Sequence, residues 1–180
     1  MKTAMTSTTM MILCATMLSA QTPAATDTGY TATIRGRWNA VKKNVTASAA
    51  AMPEASYGYK PTPDVRSFGE LIGHLANEHY MLCSPLLGEK NPQAAVDFEK
   101  TTSKVDLIKA INDSIAYCDA AYTAAKDDPK TIAPFSATRR DTPFRVMVLN
   151  LTHDSEHYGN IVTYMRLKGI VPPSSPQPSK

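Results

Sequence analysis

The chain has only four histidines, and all lie in two short segments: Gly73-His74-Leu75-Ala76-Asn77-Glu78-His79 and His153-Asp154-Ser155-Glu156-His157. Residues four apart on a helix stack one above the other, so His153 and His157 can aim both imidazoles at one divalent ion. The spacing also suits a hydrogen-bonded structural pair, and the second position lacks the glutamate of HExxH zinc proteases. A third ligand would favour the ion. His74 lies at the inner edge of a helix whose apolar face is Phe68, Leu71, Leu75 and Leu82, and Gly69 and Gly73 would admit another helix closely beside it. His79 is turned roughly 140° from His74 about that axis, so both cannot serve one inward site, and His79 is left out. Glu78 shares the face of His74 and could be a ligand, a general base or, as the preferred reading, a carboxylate that orients an imidazole. Asn160 and Tyr164 fall on the same helical line as His153 and His157, Asn160 as an outer polar neighbour and Tyr164 as a second catalytic candidate.

The chemistry of such a centre follows from the donor set. Three neutral imidazoles leave a coordination position open, where water can lose a proton near neutral pH or a thiol can bind as thiolate. Hydrolysis and thiol transfer of a small-molecule substrate are the matching reaction types. Zinc and nickel are the expected ions, because imidazole suits both.

Helices must carry these residues, and the 13 prolines show where helices fit. They leave four long proline-free windows, at 24–52, 64–84, 93–128 and 144–171. In the first, Tyr30, Ile34, Trp38, Val41, Val45 and Met52 recur at helical spacing. Ser67 with Glu70 reads as a capping box opening a second helix that runs to about Cys83. Residues 84–102 read as an irregular crossing with one short helical turn near 94–98. Ser103 with Asp106 repeats the cap, and Leu107, Ile111, Ile115, Cys118, Tyr122 and Ala125 make the third stripe. Thr142, Pro143 and Gly169 bound the fourth helix as N-cap, first residue and terminator. With no strand alternation, phosphate loop or GxSxG turn, the expected fold is all-α, a four-helix bundle with a long crossover loop. On the fourth helix the histidine line, with Val146, Leu149, Tyr164 and Leu167, is expected to face inward. A second apolar line, Phe144, Val148, Leu151, Tyr158 and Val162, implies either a fully buried helix or a homodimer contact.

Composition bounds the alternatives. With 180 residues, 43% hydrophobic, one domain with a real core is expected. A net charge of +3 with no basic run longer than two residues argues against nucleic acid, and no apolar run reaches the roughly 20 residues of a membrane span. Lys2, the run Met10–Leu18 and Ser19-Ala20 before Gln21 read as a signal peptide over 1–20, giving a domain at 21–173, a Pro/Ser-rich tail at 174–180 and an exported, periplasmic or extracellular protein. Cys83 and Cys118 then meet oxidising conditions, and both a bridge and two separate buried thiols remain open.

The stretches 67–76 (SFGELIGHLA) and 153–173 (HDSEHYGNIVTYMRLKGIVPP) give the sequence a resemblance to the DinB/YfiT-like superfamily of metal-binding four-helix bundles, extending over about residues 28–173. The resemblance implies a three-histidine site at His74, His153 and His157. Some members are thiol-dependent transferases or isomerases, but export would separate this chain from cytoplasmic thiol cofactors. Two functions remain: a metal-dependent enzyme in the cell envelope, or a non-enzymatic bundle that an ion merely pins together.

Overall fold

Each proline-free window holds one helix: α1 (Tyr30–Ala51), α2 (Phe68–Leu87), α3 (Lys104–Ala124) and α4 (Pro143–Leu167). The structure, a computed structural model, describes residues 29–126, 133–134 and 140–176; the expected export segment 1–20 and residues 177–180 lie outside them. α2 packs on α3 and α4, and α1 on the same two, so α1 and α2 face each other diagonally. Besides the helices, the described residues hold 3₁₀ turns at Glu54–Ser56 and Phe98–Lys100 and a two-residue antiparallel ladder pairing Ala133 with Asp141 and Pro134 with Arg140. None of the helices is long and apolar enough to cross a membrane.

The helix boundaries have local causes. At α2 the Ser67 hydroxyl accepts from the Glu70 amide at 3.2 Å while the Glu70 carboxylate accepts from the Ser67 amide at 2.6 Å, the reciprocal box read from the sequence. At α4 the Thr142 hydroxyl accepts from the Arg145 amide, and Gly169, at φ +71°, reverses the chain so that the Ile170 amide reaches the Met165 carbonyl at 2.9 Å. Pro172 to Ser175 then form a turn held by Tyr158, whose hydroxyl donates to Ser174 Oγ at 2.8 Å, so the tail starts against α4.

Three expectations need correction. α2 does not end near Cys83 but continues through Pro85 to Leu87, stopping at left-handed Gly88. Pro85 removes the amide that would have bonded the Met81 carbonyl, yet the helix carries on for two residues beyond it. The short turn in the crossover lies at 98–100, not 94–98.

The third correction concerns the face of α4. Its innermost line is Met147, Asn150, Asp154, Ile161 and Met165, all buried, and it falls between the two apolar lines read from the sequence. Of the histidine line, Val146 and Tyr164 are buried as expected, but Leu149 and Leu167 are 40% and 57% exposed, which puts that line on the flank of the bundle. Val148, Leu151 and Tyr158, on the other flank, pack on the edge of the same core. α4 therefore has one broad inner face rather than two, with Phe144 at its start left exposed. Two buried polar residues, Asn150 and Asp154, disguise the central line.

The core is held across helices by polar as well as apolar contacts. Trp38 of α1 donates its indole N–H to Asp119 at 2.6 Å and stacks on Tyr122, whose hydroxyl donates to the Met147 carbonyl. Cys83 and Cys118 form a disulfide between α2 and α3, with Cα atoms 5.3 Å apart. Closing a loop of 35 residues is worth about 3 to 4 kcal/mol in the chain-entropy account. Thiol labelling under denaturing, non-reducing conditions should find neither cysteine free, and a Cys83→Ala, Cys118→Ala variant should unfold at distinctly lower denaturant than the parent.

Candidate metal centre

His74, from the middle of α2, meets His153 and His157, one turn apart on α4, in a cluster whose candidate ligand atoms all lie within 4.8 Å of one another. The Nε2 of His153 is 3.2 Å from that of His74 and 3.1 Å from that of His157. All three rings are partly buried. Among the described residues no other His, Cys, Asp or Glu joins the group.

This arrangement is hard to satisfy with protons alone. A ring nitrogen carries either one proton or one lone pair, so His153 Nε2 can make one good linear hydrogen bond, yet it faces two other nitrogens. A cation accepts all three lone pairs at once. With metal–nitrogen bonds of ~2.05 Å and tetrahedral angles, ligand nitrogens stand roughly 3.3 Å apart, close to the observed separations. Nδ1 of His153 is buried without a partner, a feature native structures seldom keep without reason. Burial, then the neighbouring His157 and His74, pushes His153 down to about 4; burial followed by His74 also lowers His157. Folding thus delivers both rings in the neutral form a metal requires.

The group that orients His74 is Glu99, from the 3₁₀ turn of the crossover. His74 Nδ1–H donates to Glu99 Oε1 at 2.7 Å, and Arg66 donates to the other oxygen at 2.8 Å. Burial would raise the Glu99 carboxyl, but the hydrogen bonds from Arg66 and His74 outweigh it and hold it below the ordinary carboxylate range. The ring proton is therefore fixed on Nδ1, which leaves Nε2 for the cluster. Glu78, expected in this role, makes no hydrogen bond to His74; half-buried beside it, its carboxyl is pushed up by desolvation. Tyr164 is engaged elsewhere, donating its hydroxyl to the Arg66 carbonyl at 2.6 Å, and Asn160 stands 3.5 Å from His157 Nδ1, a weak contact.

The signal for Glu99 was present in Gly73, but its neighbour is not another helix. A Cβ at Gly73 would stand 2.3 Å from the Phe98 carbonyl oxygen and 2.8 Å from the Glu99 amide nitrogen. The bare helix surface lets the crossover lie against α2, one residue from His74. Asn77 accepts from the Phe98 amide at 3.0 Å and completes the seam.

Beside the cluster opens a cleft of about 750 Å³, walled by residues 60–66 on one side and by Glu70, Glu99, His157, Asn160 and Tyr164 on the other. Of the three histidines, His157 is the one that lines it.

Two outcomes follow. Glu99→Gln and Gly73→Ala, the first weakening the acceptor and the second displacing it, should each lower zinc affinity by about 10- to 100-fold in a chelator competition. For the metal-free protein, an unfolded histidine takes up its proton near pH ~6.5 whereas folded His153 does so only near 4, so stability falls as pH drops through that window. A His153→Gln variant should lose less of its urea midpoint over the same interval.

The DinB superfamily model matches residues 37–161, a span that contains all three histidines, Glu99 and the crossover. No curated protein matches the chain. Among solved structures, the crystal structure of a DinB-like protein from Bacillus cereus superposes with a TM-score of 0.66 at 16% sequence identity, covering 79% of this chain and 95% of that one. At that identity the likeness is one of fold, in agreement with the all-α bundle. The chain belongs to the DinB superfamily.

Proposed function

We propose that the protein is a metal-dependent enzyme acting on a small molecule, with His74, His153 and His157 holding one divalent ion, zinc or nickel. The observation that carries this reading is the convergence of three Nε2 atoms without a fourth protein ligand among the described residues, next to an open cleft. A structural zinc site closes its coordination with four protein ligands, whereas a catalytic one keeps a position for water or substrate. When bound, the ion would lower the pKa of a bound water or stabilise a thiolate.

The chain's own residues define the rest of the site. Glu99 and Arg66 keep His74 in one tautomer, and residues 60–66 with Tyr164 shape the wall where a substrate would rest. Glu78, half-buried and without a hydrogen bond of its own, stands near His74 and Glu99 and is the candidate proton acceptor. Hydrolysis is favoured over thiol transfer by the export expected from residues 1–20, and the Cys83–Cys118 disulfide supports an oxidising compartment.

Metal content measured by mass spectrometry on untagged protein tests the centre. About one ion per chain is expected in the parent, and its loss in His74→Ala and in the His153→Ala, His157→Ala pair with helical circular dichroism retained. Absence of bound metal after incubation with zinc or nickel would sink the reading. Unfolding of the parent on chelation, with no hydrolysis of any ester or amide probe, would make the ion a structural pin instead.

A further inference from the structure

His79, set aside on geometric grounds, is where the four helices meet. Its side chain and that of Asp154 are each only 1% exposed, and Ser114 is fully buried. The Nε2–H of His79 on α2 donates to both carboxylate oxygens of Asp154 on α4 at 3.1 Å, and Nδ1 lies 2.9 Å from Ser114 Oγ on α3. Trp38 of α1 packs edge-on against the ring at 5.3 Å. The trio has the composition of a hydrolytic triad, but a buried Ser114 that also donates to the Ile111 carbonyl has no access to a substrate. A different role is required.

We propose that His79 and Asp154 are positioning residues for the metal ligands, setting the register of α4 against α2. The proposal rests on the metal reading above. Each histidine of the cluster needs something to place it. His74 has Glu99 and His157 has its weak contact with Asn160, but His153 Nδ1 has no partner, so no hydrogen bond from outside the cluster orients its ring and the position of its backbone matters most. The next residue along that backbone is Asp154. Its carboxylate is anchored to α2 at His79, five residues or roughly 7.5 Å along the helix from His74. α2 and α4 are thus joined at two separated points, one at the histidine cluster and one in the core, and two points fix both slide and rotation where one does not. A buried polar pair is an uncertain source of stability but a good source of registry, because a slipped α4 would leave both groups unpaired.

Zinc affinity of the full chain, measured by chelator competition at a temperature where circular dichroism shows every variant folded, tests this. Asp154→Leu should weaken zinc binding by about tenfold or more, while Asp154→Asn, which still accepts from His79, should stay within about threefold of the parent. Should Asp154→Leu fail to fold, the His79→Leu, Asp154→Leu pair, which leaves neither partner stranded, is expected to show the same loss. Parent-like zinc affinity in the folded variant, whatever its melting temperature, would overturn the proposal. A second readout separates its failure from that of the metal reading: imidazole ¹⁵N spectra of the metal-free protein. If the parent binds no zinc, shifted His74 and His153 resonances in the variant still support positioning, and unchanged ones refute it.

Discussion

Three ring nitrogens, two of them 3.2 and 3.1 Å from the third, repel one another unless something with positive charge, or a proton carefully placed, lies between them. Packing alone does not create such an arrangement, because each ring has other ways to bury its carbon edges. The rest of the bundle can be understood as the apparatus that keeps the rings there: a helix pair tied in the core through His79 and Asp154, a carboxylate that fixes one tautomer, and enough burial to keep the α4 rings uncharged. The last point is specific to location. On the flank of α4, rather than on its innermost line, both rings are dry enough to stay neutral while His157 still lines a cleft.

The interior accepts polar groups to make this possible. Asn150 and Asp154 occupy positions that Leu or Ile would fill in a bundle built for stability alone. Asp154 has the His79 ring as its partner, and Asn150 donates to the Tyr122 hydroxyl. Desolvating these groups costs free energy that apolar replacements would not, and the large apolar residues around them, Trp38, Ile72, Leu75, Ile111 and Met147 among them, supply the offset.

How much of this the sequence reveals depends on how local its cause is. The caps at Ser67, Thr142 and Gly169 act within a few residues, and so do the proline-free windows and the stacking of His153 on His157; each is legible from types and spacing. The inner line of α4 is not, because its polar members become core residues only once His79 and Tyr122 stand opposite them. Likewise Glu99 lies 25 residues from His74 in an irregular segment whose path depends on contact with the folded surface of α2. Pro85 misleads in the other direction: it removes one amide near the end of α2, yet the helix runs two residues past it before Gly88 stops it. The disulfide depends on the facing of α2 and α3 and becomes visible only with the fold.

The seam at Gly73 gives the crossover two unlike parts. Residues 91–96 are held by turn bonds among themselves, as from the Val96 amide to the Gln93 carbonyl, whereas 98–100 lie against a helix surface that has room for hydrogen and nothing larger. A single methyl group added at Gly73 would press on the Phe98 carbonyl and the Glu99 amide and so be transmitted directly to Glu99. The connection is thus divided into a stretch held mostly by its own turns and a footing seated on α2 beside the histidine it serves.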